Sequence, residues 1–205
     1  MGGGPRLILA LAGADRYGLG VSTEPHLELA ADSRADPPSA AGEVDTLRGF
    51  LDFHRDTMRW KTAGLGAPEL ATSIAPSTMT LGGMLKHLAY VESNWFSVVL
   101  LGGPAMAPFD TVDWSADRDW DWHSAAHDSP GRLRMLFDRA VAASDAILDD
   151  VLADGDLDRL TAVGSRHTGE RWNLRWVLVH MVEEYARHNG HADLIREAID
   201  GSVGE

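Results

Sequence analysis

Apolar residues recur at three- and four-residue spacing in four long stretches of the chain, the period of an amphipathic helix rather than of a strand. Over residues 43–63, Leu47, Phe50, Leu51, His54 and Met58 keep that spacing, and Gly64 and Gly66 supply a stop. Ser77, Thr78 and Thr80 cap a second run that carries Leu81, Met84, Leu85, Leu88, Val91, Trp95 and Val99 and ends at Gly102-Gly103-Pro104. A third predicted helix covers residues 130–153, with Pro130 in its first turn and Leu133, Leu136, Phe137, Ala140, Ala143, Ile147 and Val151 on one side. The fourth covers residues 173–199 with Leu174, Val177, Leu178, Met181 and Tyr185, and Gly201 lies beyond its end. Residues 105–128 hold Trp114, Trp120 and Trp122 among Asp, Ser and His, and read as a long, partly ordered crossover with a short helix. The pattern predicts an all-α fold, a four-helix bundle with its long crossover between the second and third helices.

Residues 1–41 are rich in Gly, Ala, Asp and Pro and show no helical period. They read as a disordered or poorly ordered tail, which leaves residues 42–205 as one domain. The apolar run at residues 7–12 is short for a signal peptide, and no run reaches the roughly 18 residues of a membrane span. A cytoplasmic location, away from any membrane, is the expectation. Net charge is −13 with no basic run, so phosphate backbones and anionic lipids are repelled and no nucleic-acid partner is expected. A homodimer is compatible with the sequence and is not demanded by it. The chain has no cysteine, which excludes disulfides, thiolate metal ligands and Cys nucleophiles. Any thiol chemistry must use a thiol brought from outside.

The fourth helix concentrates the chemistry. At about 100° per residue, His180, Glu184, His188 and His191 fall within an arc of about 80° on one face, beside Met181 and Leu194. Burying imidazoles and a carboxylate together is costly unless they are paired or coordinated. Glu184 and His188 lie one turn apart and can share an ion; they can equally form a surface ion pair. A catalytic site needs about three protein ligands and an open position, so a third donor must come from another helix. His87, between Leu85 and Leu88, is the best placed. Spacing alone leaves open whether His180 or Glu184 is the first ligand on this helix, and His191 competes with Glu184 on geometry. His54 reads as a hydrogen-bonded core residue, and His123, His127 and His167 as solvated loop residues. Glu92, five residues from His87, points elsewhere and fits an ion pair with an arginine. Trp60, Trp95, Trp172 and Trp176 read most simply as core, and any of them could wall a pocket. No nucleotide-binding, flavin or serine-hydrolase motif is present.

Several stretches carry a family resemblance: Trp60-Lys61-Thr62-Ala63-Gly64-Leu65, Ser77 to Leu81, His87-Leu88-Ala89-Tyr90-Val91-Glu92 with Trp95-Phe96, and Leu174-Arg175-Trp176 followed by His180 to Asp193. With them, residues 43–205 resemble the DinB-like superfamily, specifically an actinobacterial subfamily similar to mycothiol-dependent maleylpyruvate isomerases and thiol S-transferases. The resemblance implies a DinB-type bundle holding one divalent ion through a histidine of the second helix and a pair one turn apart on the fourth. Many relatives use His-x3-His for that pair, whereas those like the mycothiol-dependent isomerases use Glu-x3-His. This chain sides with the latter, so the implied ligands are His87, Glu184 and His188, with His191 and His180 supporting them from behind. Zinc is the first choice of ion, with nickel or iron as others. The implied cosubstrate is a low-molecular-weight thiol such as mycothiol or bacillithiol, reacting with a small electrophile.

Two functions of different class follow. One is a metal-dependent thiol S-transferase or isomerase, in which the ion lowers the pKa of the incoming thiol. The other is a non-catalytic metal- or ligand-binding stress protein, since fold does not fix function. A non-haem iron enzyme is a third, weaker reading, because two histidines and a carboxylate also suit Fe(II).

Overall fold

The computed structural model describes residue 32 and residues 34–204, and these are helical, with no named strand among them. Six α-helices are present: α1 (Glu43–Thr62), α2 (Ala67–Leu70), α3 (Leu81–Glu92), α4 (Trp120–Ala125), α5 (Pro130–Val151) and α6 (Leu174–Asp200). The α3 helix continues without a break into a π-helical segment, Ser93–Leu100. The four long helices are the four predicted runs, and their ends follow from capping chemistry. Thr80 Oγ1 accepts the Gly83 amide at 3.0 Å, and Asn173 Oδ1 accepts the Trp176 amide at 2.9 Å. Gly201, at φ +76°, turns the chain out of α6 in the left-handed conformation that favours glycine.

The core is built from Leu51 and Met58 of α1, Leu81 to Leu88 of α3, Leu133 to Leu148 of α5 and Leu174 to Ile195 of α6. Reading the stripes from sequence overstates them at Phe50 and at Ala143, which is exposed, and the reading of Trp176 as core fails. Phe50, Trp176 and Leu194 are 46%, 43% and 61% exposed. Phe50 lies about 100° round α1 from the buried Leu51, on the solvent side of the helix. Leu194 next to Ile195 is the same case. The crossover is more ordered than expected: a 3-10 turn at Phe109–Thr111 and α4 pack Phe109, Trp114 and Trp120 around Tyr90.

At the centre of the bundle a buried polar clasp ties four helices together. Arg55 of α1 donates through Nε and Nη2 to the two carboxylate oxygens of Glu92 on α3, both at 2.8 Å. Tyr185 of α6 donates its hydroxyl to Glu92 Oε1 at 2.8 Å, and Arg55 Nη1 reaches Asp145 of α5 at 2.8 Å. Burial, then the Glu92 carboxylate, push the Tyr185 phenol well above its ordinary pKa, so it remains a donor. Glu92 thus has the arginine partner expected of it.

The expectation for residues 1–31 and 33, including the apolar run at 7–12, lies outside the described residues. Within the described part of that stretch, Arg34 packs on α1. Its guanidinium sits 4.6 Å from the ring centroids of both Phe53 and Trp60 and donates to Thr57 Oγ1 at 2.8 Å. A variant beginning at Gly42 should therefore keep its helicity but lose about 1–2 kcal/mol, roughly 5 °C in melting temperature. An unchanged melting curve would show that Arg34 adds nothing.

Candidate metal centre

Two helices far apart in sequence meet at the site. His87 points from α3 toward Glu184 and His188, one turn apart on α6, and the donor atoms of all three lie within 4.8 Å of one another. Glu184 Oε1 is 3.2 Å from His87 Nε2 and 3.4 Å from His188 Nε2. Donors about 2.1 Å from a tetrahedral ion stand about 3.4 Å apart, so these separations already suit one. The donor set, two imidazole nitrogens and one carboxylate oxygen, suits zinc and its neighbours in the first transition row. His188 Nδ1 is buried and has no hydrogen-bond partner among the described residues.

The crossover completes the site. Asp121 of α4, 2% exposed, accepts from His87 Nδ1 at 2.7 Å. That bond presents the opposite ring nitrogen, Nε2, to Glu184, the tautomer a ligand at this position needs. Trp122 stacks on the His87 ring at 4.8 Å and 27°, with its indole 5.6 Å from the His188 ring. The indole fits because Gly83 has no side chain: a Cβ there would meet Trp122 Cε3 at 2.6 Å.

Charge in the cluster is strongly coupled. Burial disfavours a charged His87, but the hydrogen bonds to Asp121 and Glu184 and their negative charge outweigh it and raise its pKa to about 9. Hydrogen bonds from His188 and His87 hold the Glu184 carboxyl far below its ordinary value, against burial.

The other expected residues are placed differently. His180 does not join the cluster; its ring lies 4.6 Å from Trp95 and 5.1 Å from Trp176. His191 has its ring 6.2 Å from that of His188, and its buried Nδ1 finds no hydrogen-bond partner. His54 meets Asn189 at 3.3 Å, and His123 pairs with Asp117. Asp121 and Trp122 were not anticipated as site residues. Their one signal is a buried acid set between two tryptophans, Trp120-Asp121-Trp122.

A cleft of about 720 Å³ opens beside the donors, between α2, the start of α3, α4 and the start of α5. None of the three donors lines it; Trp122 of α4, stacked on His87, is the shared wall, together with Gly83, one turn along α3 from His87. Leu70, Met79 and Leu133 make it largely apolar, with Asp119 and Asp128 at its polar edge. Among the described residues, no helix is long and apolar enough to cross a membrane.

No curated protein gives a match to the chain. The family model described as MST, Mycothiol-S-transferase, matches residues 46–201, from the first turn of α1 to the end of α6. It therefore takes in the whole bundle and every residue of the cluster, and the chain belongs to the mycothiol S-transferase family, a DinB-like family.

Proposed function

We propose that the protein is a metal-dependent thiol S-transferase, or thiol-dependent isomerase, that joins mycothiol to a small apolar electrophile in the cytoplasm. The observation that carries this reading is the convergence of His87, Glu184 and His188 in a chain of this family that has no cysteine of its own. When bound, a divalent ion supplies positive charge that lowers the pKa of a thiol at its open position, so that thiolate is available near neutral pH. His87 Nε2, Glu184 and His188 would hold the ion, zinc in the first instance. Asp121 fixes the His87 ring through Nδ1. Trp122 screens His87 from water on one side, and its other neighbours form the cleft that receives the apolar body of the electrophile.

The deciding experiment incubates zinc-loaded, tag-free protein with mycothiol and a chromogenic aryl chloride and follows the S-conjugate by mass spectrometry. Conjugate formation should stop on chelation and return with zinc. Tight metal binding with no conjugate, across a panel of electrophiles, would favour the non-catalytic reading.

Metal binding should also depend on pH. His87 must give up the proton on Nε2 to ligate, and its pKa is about 9 in the protein without an ion. Raising the pH toward that value removes the competing proton, so the apparent zinc affinity should rise by about tenfold per pH unit and level off above about pH 9. Calorimetry in buffers of different ionisation enthalpy should count about one proton released at pH 7. Affinity that is flat between pH 7 and 8.5 would take His87 out of the ligand set.

A further inference from the structure

Trp176, His180, Glu184 and His188 follow one another at four-residue intervals and form a single ridge along α6. The metal-centre donors occupy one end of that ridge. Its other end is aromatic. The Trp176 indole stacks on the His180 ring at 5.1 Å and 19°, and on Trp172 at 5.5 Å and 28°. Trp95, from the π-helical segment after α3, closes against all three at 5.3, 5.5 and 4.6 Å. π-Helical turns are uncommon and concentrate at functional sites. Trp176, the middle ring of the stack, is 43% exposed, so core packing alone does not account for the panel.

An aromatic panel with one exposed indole and three half-buried rings suits a ligand with C–H faces and hydroxyl edges. The C–H bonds lie on the electron-rich indole while the hydroxyls stay hydrated. That is the chemistry by which proteins hold uncharged sugar rings, and mycothiol carries two polyhydroxylated rings, a glucosamine and an inositol, behind its acylated cysteine. The amine of that glucosamine is acylated, so the rings bear no charge and need no ion-pair anchor. The spacing agrees. At 1.5 Å per residue, His180 and Trp176 lie about 6 Å and 12 Å along α6 from Glu184, the reach of a cysteinyl stem and then a sugar ring. On the other side of the donors Trp122 covers His87, which leaves the α6 ridge as the bed for the body of the thiol.

We propose that Trp95, Trp172, Trp176 and His180 form the platform that binds the sugar rings of mycothiol and sets the preference for it over smaller thiols. The proposal takes the identity of the thiol from the S-transferase reading, and the test separates the two. The probe is N-acetylglucosaminyl-inositol, which has the rings and no sulfur, titrated into the zinc-loaded full chain and followed by tryptophan fluorescence. Wild-type protein should bind it, and Trp176→Ala should weaken binding on the order of tenfold, with Trp176→Phe between them and metal content unchanged. The ratio of kcat/KM for mycothiol to that for N-acetylcysteine should fall by a similar factor in Trp176→Ala. Ring binding without turnover would uphold the platform and defeat the S-transferase reading. Turnover with no ring binding, or with a thiol preference that Trp176→Ala leaves unchanged, would overturn the platform. A change in oligomeric state in Trp176→Ala, with ring binding intact, would make the panel an interface between copies of the chain and overturn it equally.

Discussion

Glu184→Ala and His188→Ala are each expected to lose the bound ion, while His191→Ala keeps about one equivalent. The same loss is expected for His87→Ala. Two remaining donors rarely hold a divalent ion against a chelator, whereas three at the observed separations do. Glu184 stands between the two histidines, at 3.2 and 3.4 Å from their nitrogens, so its removal takes away the donor that both face. His191 has its ring 6.2 Å from that of His188 and makes no hydrogen bond to the cluster among the described residues. Its replacement should alter activity or affinity only modestly. Elemental analysis of the four variants side by side, with circular dichroism to confirm folding, decides the matter. An empty site in His191→Ala beside a loaded Glu184→Ala would reassign the ligands to His87, His188 and His191.

The largest loss of stability is expected at Glu92→Ala, about 3–5 kcal/mol, or roughly 10 °C in melting temperature. The substitution leaves the Arg55 guanidinium 1% exposed with no buried counter-charge, since Asp52 and Asp145 sit near the surface. It also strips the Tyr185 hydroxyl of its acceptor. Replacing both partners, Arg55→Met with Glu92→Leu, should recover much of the loss, because neither charge is then stranded. A Glu92→Ala protein melting within about 2 °C of the wild type would show that the clasp contributes little.

The long helices and the Glu184–His188 pair were open to reading from sequence for the same reason. A helix writes its contacts at three- and four-residue spacing, so the apolar stripe of α5 and the Glu184–His188 pair are both local patterns. What joins different helices leaves no such trace. His87 meets Asp121, 34 residues away, across a crossover whose acids look alike in sequence. Asp121 is buried against His87 while Asp117 and Asp119 stay near the surface, and only the packing of α4 separates them. Trp176 failed in the opposite sense. A tryptophan on a helix reads as core, but this one lies on the ridge of the metal-centre donors rather than on the face that packs into the bundle. The family resemblance, not spacing, favoured Glu184 over His180; the side chains of His87, Glu184 and His188 lie together, and His180 lies apart from them.

The clasp also acts on the rotation of α6. An apolar stripe lets a helix roll or slide by a fraction of a turn at small cost, because one methyl contact exchanges for another. A hydrogen bond between two groups that are both fully buried allows no such exchange. Tyr185 is held to Glu92 in that way, and it is the immediate neighbour of Glu184. The bond therefore works as an index pin: it sets the angle at which α6 presents Glu184 and His188 to His87, and a roll of the helix would have to break it first.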